Sequence, residues 1–179
     1  MNIWMHGILG RCAVLAACAV AVAACGPSGE SPSAPSAQQL SLGPVAQALS
    51  AANVMNAEAN LAADYYIYVQ SASWCGPCKA EMPELVKIYP QMKAANVELI
   101  LMGLDGTPAE AKAYLDSYHA PFPGVHFEDP AASSLPGFAL SRTVPHATIV
   151  DKDGKVIAKG HGSLARKWQQ ITEDDRAEK

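Results

Sequence analysis

Tyr65-Tyr66-Ile67-Tyr68-Val69-Gln70-Ser71-Ala72-Ser73-Trp74-Cys75-Gly76-Pro77-Cys78-Lys79 contains a change of period that decides the fold. Its first five residues are aromatic or β-branched, and Tyr65 to Gln70 predicts a short buried strand. Beyond Cys75 the apolar residues Met82, Leu85, Val86, Tyr89 and Met92 recur at helical spacing, so an amphipathic helix is expected over Lys79 to Ala95, with Pro83 a candidate kink. Two cysteines two residues apart, after a strand and at the start of a helix, make a small redox ring. The unpaired backbone N–H groups and positive dipole end of that helix favour a thiolate on Cys75. Thiolate is the attacking species, so Cys75 is the expected nucleophile and the more buried Cys78 the resolving thiol. Pro77 suits a first helical turn because its missing N–H has no partner there.

Working outward, Pro44 to Ala63 carries Val45, Leu49, Ala52, Met55, Ala59 and Ala62 at helical spacing and predicts a helix started by Pro44. Val97 to Leu104 predicts a second buried strand. Thr107 and Pro108 open a third helix running to about His119. Val125 to Phe127 predicts a short strand and Ser133 to Ser141 a weak helix or turn. His146 to Asp151 and Val156 to Lys159 predict a hairpin about Lys152-Asp153-Gly154, a turn in which glycine supplies a positive φ. Ser163 is expected to cap a last helix reaching about Thr172, with Glu173 to Lys179 fraying. Tyr65, Tyr66 and Tyr68 read as core. Alternating elements closed by a hairpin give an α/β fold with a central sheet.

The 179 residues include 13 Lys plus Arg against 17 Asp plus Glu, a net charge of −4 that offers no basic footprint for nucleic acid. The five cysteines divide by position. Arg11 precedes an uncharged run, Cys12 to Ala24, that has the outline of a secretory signal peptide and is shorter than the roughly 20 residues a membrane span needs. Val22-Ala23-Ala24-Cys25 resembles the bacterial lipobox, which implies lipidation of Cys25; Leu15-Ala16-Ala17-Cys18 fits the same pattern but leaves a much shorter apolar run. The expected organisation is therefore a signal peptide over 1–24, a lipidated Pro/Ser-rich tether over 25–42 and a domain over 43–179. The tract Gly26 to Ser36 has too little apolar surface to fold. Cys75 and Cys78 are left as the thiols of the mature chain. A structural zinc site is disfavoured because the expected mature chain has no second cysteine pair and His119, His126, His146 and His161 lack ligand spacing. Asp151, Asp153 and Gly154 lack the rest of a calcium loop.

Trp74-Cys75-Gly76-Pro77-Cys78-Lys79 resembles the active-site sequence of thioredoxins, and Ser71 to Pro83 as a whole resembles the envelope thioredoxin-like reductases of the TlpA and ResA type. Tryparedoxins and nucleoredoxins open similarly with Ser-Ala-Ser-Trp-Cys. Downstream, Thr143-Val144-Pro145-His146-Ala147-Thr148-Ile149-Val150-Asp151 followed by Asp153-Gly154-Lys155 is similar to the family's cis-proline loop, strand and hairpin. The Thr107 to Phe127 helix and strand matches the insertion of this branch. The resemblance implies a thioredoxin fold, a central mixed sheet flanked by helices, and no cofactor or metal. It implies that Pro145 faces the dithiol, that the Val144 backbone pairs with a substrate chain, that Trp74 covers the site beside Gly76 and Pro77, and that Glu81 tunes the cysteines. Thioredoxin's buried aspartate aligns here with Val69, so that proton-relay group is missing.

The activity implied is a lipid-anchored thiol-disulfide oxidoreductase of the bacterial envelope that reduces client disulfides and is recharged by a membrane electron donor. The client stays open among an apocytochrome of cytochrome c maturation, a copper-delivery protein and a sulfenic acid. Gly-Pro between the cysteines resembles the reducing thioredoxin, at about −270 mV, more than the oxidant DsbA, at about −120 mV. Glu81, as a like charge, is expected to hold the Cys75 thiol pKa above about 6. An oxidase or isomerase is the alternative within the class. A copper chaperone using Cys75, Cys78 and His146 is the alternative outside it.

Overall fold

The computed structural model describes residues 42–179; the expected signal peptide, Cys25 and nearly all of the expected tether lie outside the described residues. In chain order the elements are α1 (Pro44–Ala51), β1 (Tyr65–Ser71), α2 (Gly76–Ala94), β2 (Val97–Gly103), α3 (Pro108–Ser117), β3 (Gly124–His126), β4 (His146–Asp151), β5 (Val156–His161) and α4 (Trp168–Ala177). Short 3₁₀ turns cover Ala132–Ser134 and Gly162–Lys167. The five strands form one mixed sheet, ordered β3-β2-β1-β4-β5. β1 runs parallel to β2 and antiparallel to β4, with Val69 opposite Leu101 on one side and Ala147 on the other.

The two central strands are buried throughout because both faces of the sheet are covered. Alternation then divides their side chains. Tyr65, Ile67, Val69, Leu99 and Leu101 pack with Met82, Leu85, Tyr89 and Met92 of α2, Leu115 of α3 and Trp168 of α4. Tyr66, Tyr68, Ile100 and Met102 pack on the opposite face with Val45 and Leu49 of α1 and with Leu135. α2 continues through Pro83 and Pro90, both exposed, and begins at Gly76, earlier than the spacing suggests. Thr107 caps α3 as expected, its hydroxyl accepting from Glu110 N–H.

Three expectations need correction. The first helix stops at Ala51, and from there to Ala63 the chain is not helical, with Met55 bridging the sheet edge at Gly124. Met55 exchanges two backbone bonds with Gly124, and Asn56, at φ 75°, donates its amide to the carbonyls of Ala120 and Phe122. Helical spacing of alanines is a weak signal against three asparagines, at 53, 56 and 60, whose side chains all bond distant segments. Ser163 caps nothing: His161 accepts from Ser163 N–H, and a 3₁₀ turn precedes α4. The charged tail does not fray. Asp175 is 5% exposed and accepts from the Tyr65 hydroxyl at 2.8 Å, with Lys155 and Lys179 beside it.

Candidate active site

The site forms where β1 runs out. Cys75, in extended geometry at φ −88° and ψ 109°, is the N-cap of α2, and its sulfur accepts the Cys78 N–H at 3.1 Å. Cys75 and Cys78 are joined as a disulfide with their Cα atoms 5.2 Å apart. Both are covered, Cys75 at 6% and Cys78 at 1% exposure, so Cys75 is the more open of the pair. Ala72, Leu104 and Val144 enclose them in a small apolar cluster. Trp74 is 65% exposed and a Cβ on Gly76 would meet nothing within 4 Å, so the turn that carries the covered sulfurs lies at the surface.

The second wall is the loop before β4. The Val144–Pro145 peptide is cis, and the Val144 carbonyl oxygen lies 3.8 Å from Cys75 Sγ. Two residues that sequence reasoning passed over hold this loop. Buried Gln70 of β1 donates to the Ala139 carbonyl and accepts from Ser141 N–H. Gly162 donates its N–H to the Pro145 carbonyl and lies so close that a Cβ there would stand 2.5 Å from Pro145 Cβ. A polar residue in an apolar strand and a glycine after a strand were the available signals.

Glu81 lies one turn beyond Cys78, with its Oε2 buried. Arg166 Nε is 3.3 Å from that oxygen but off the hydrogen-bonding direction. A cation from the 3₁₀ turn thus answers the charge that the sequence left isolated. His146 opposes His161 across β4 and β5, and burial, with Lys159 and His161 nearby, holds its imidazole below the usual range. Among the described residues, with Cys75 and Cys78 joined as a disulfide, no three His, Cys, Asp or Glu side chains converge as a metal site.

Residues 63–156 match the family model described as Thioredoxin-like, more than half of the chain, and the chain belongs to that family. Among relatives, a thiol-disulfide oxidoreductase ResA of Bacillus cereus is 32% identical over 87 residues, 49% of this chain and 49% of that protein. The chain spans about half the length of the curated relatives it matches. Thioredoxin from Wuchereria bancrofti shares the fold, with a TM-score of 0.51 at 21% identity over 64% of this chain and 82% of that one. Tryparedoxin II from C. fasciculata has a TM-score of 0.50 at 27% identity, covering 64% of this chain and 84% of that one.

Proposed function

We propose that this chain is a thiol-disulfide oxidoreductase that reduces disulfides of envelope proteins, tethered by lipid on Cys25 through residues 25–42 after removal of 1–24. The observation that carries the reading is the placement of Cys75 Sγ at a helix N-terminus, on the Cys78 N–H and beside the Val144–Pro145 loop. In the reduced protein the Cys75 thiolate attacks a client disulfide, forming a mixed disulfide and releasing one client thiolate, which takes a proton. Cys78 then gives up its proton and attacks Cys75 Sγ. The client leaves as a dithiol and the chain keeps the Cys75–Cys78 disulfide, so two electrons and two protons have moved. A membrane electron donor restores the dithiol. Val144 offers its backbone to the client chain as an added strand, and the exposed ring of Trp74 gives the client an apolar contact.

The test is turnover of insulin by the protein recharged with dithiothreitol. Cys75→Ser is expected to abolish it, and Cys78→Ser to accumulate mixed disulfides. Turnover by the Cys75→Ser protein at the parent rate would sink the proposal. A redox potential near −120 mV by glutathione titration would reverse its direction to oxidase.

A further inference from the structure

Among the described residues, one side chain from outside the CxxC hydrogen-bonds the turn that carries Cys75. It belongs to Asp105, two residues past the end of β2 and 2% exposed. Its Oδ1 accepts both from Ser73 N–H, at 3.0 Å, and from the Ser73 hydroxyl, at 2.6 Å. Its Oδ2 is buried with no partner among the described residues. The backbone around Asp105 is fixed as well. Leu104 N–H donates to the Ser71 carbonyl, and Leu104 itself packs on the cysteine cluster. His126, 3% exposed at the end of β3, meets the Asp105 carbonyl through Nε2 at 2.9 Å, while its Nδ1 receives Glu128 N–H at 3.4 Å. With Nδ1 accepting, Nε2 carries the proton and donates.

We infer that Asp105 is a positioning residue of the dithiol, which clamps Ser73 so that Cys75 stays in its N-cap geometry with its sulfur on the Cys78 N–H. The inference deepens the reading above and rests on Cys75 being the attacking thiol. Ser73 is two residues from Cys75, so their Cα atoms are at most roughly 7 Å apart and a turn of the Ser73–Trp74 backbone redirects Sγ. The backbone bond that closes this turn, Cys75 N–H to the Ala72 carbonyl at 3.2 Å, spans the hinge without anchoring it to a neighbouring strand. A carboxylate suits the task better than an amide. It strengthens both donors by its charge, whereas asparagine would offer them a neutral amide oxygen and put its nitrogen in the buried place of Oδ2.

The experiment alkylates the fully reduced, full-length protein with iodoacetamide as a function of pH, which reads Cys75 directly and needs no client. Asp105→Ala is expected to slow alkylation at neutral pH roughly tenfold and to move the midpoint of its pH profile upward, because the Cys78 N–H no longer meets the thiolate. Asp105→Asn keeps Oδ1 and is expected to recover most of the rate, to within about threefold. Ser73→Ala, which loses the hydroxyl but keeps the N–H, is expected to fall between. A folded Asp105→Ala protein with the parent's rate and midpoint overturns the inference. So do equal downward midpoint shifts in Asn and Ala variants, the signature of a like charge removed. If Asp105→Ala does not fold, Ser73→Ala decides, and an unchanged profile there overturns the clamp. Loss of insulin turnover in the parent protein, with these alkylation differences intact, would refute the proposed reductase and leave the clamp standing.

Discussion

Strand β2 carries a buried carboxylate near each end, and the two are treated differently. Glu98, fully buried, has both oxygens occupied: Oε2 accepts from Asn60 N–H at 2.7 Å, and Oε1 from the Tyr89 hydroxyl at 2.7 Å and Leu99 N–H at 3.0 Å. Asp105 takes both its side-chain bonds on one oxygen and leaves the other bare. Glu81, on the dithiol side of the molecule, also keeps a buried oxygen without an aligned donor. Buried polar groups are normally satisfied, so the contrast separates an end built for stability from an end that retains unused bonding capacity beside reactive sulfurs.

The largest effect expected from breaking this contrast is at the satisfied end. Glu98→Ala strands three donors in the interior and should lower unfolding free energy by about 3 kcal/mol or more in urea titrations. Alkylation of Cys75 in the folded variant should be unchanged. A loss below about 1 kcal/mol would show that the network carries little. Next is Gly162→Ala at the dithiol end, where the added Cβ runs into Pro145. Overpacking of this kind costs roughly 1–3 kcal/mol, and the displaced Val144–Pro145 loop should slow insulin turnover more than it slows alkylation by a small reagent. Equal slowing of both would place the damage at the cysteines themselves.

A third, smaller effect follows from Asp175, which anchors α4 at the same end of the sheet as Glu98. A hydrogen bond from Lys179, opposed by burial and joined by the Tyr65 and Lys155 donors, holds its pKa to about 2. The carboxylate is covered, yet the lysines above it are more than half exposed, so solvent screens the attraction. A depressed carboxylate stabilises the fold above its ordinary pKa near 4 and loses that contribution as pH falls towards about 2. Asp175→Asn should cost about 1 kcal/mol at neutral pH, and the gap from the parent should close between pH ~4 and ~2. A gap independent of pH would assign the effect to packing.

How much of this could be read in the sequence follows the range of the forces involved. The strand, the CxxC and the helix after it are written locally, in period and in cysteine spacing, and the order of elements came through with them. Pro145 was reached by resemblance of its flanking residues. What was missed depends on long-range partners: Asn56 turns the chain by bonding residues 64 and 66 positions away, and Asp175 secures a tail that looks solvated by meeting Tyr65, 110 positions earlier. Asp105, Gln70 and Gly162 escaped for the same reason, since a single aspartate, glutamine or glycine carries no periodic signal and becomes meaningful only when the sheet brings it to the cysteines.

The smallest effect concerns Tyr68, midway along β1 between the two ends. Its hydroxyl is buried with no partner among the described residues, and burial raises its pKa far above the ordinary phenol range. The ring itself is well used, in an edge-on contact with Phe138 at 6.2 Å between centroids. Phenylalanine keeps that contact and the apolar area while removing an oxygen that lost its water on folding and gained nothing in return. Removing a buried group with no partner relieves its desolvation, so Tyr68→Phe should leave stability unchanged or raise it by up to about 1 kcal/mol, with no change in alkylation of Cys75. If the variant instead loses about 1 kcal/mol or more, the hydroxyl has a bonded water or other partner, and bare buried polar atoms would no longer set the dithiol end apart from the rest of the sheet.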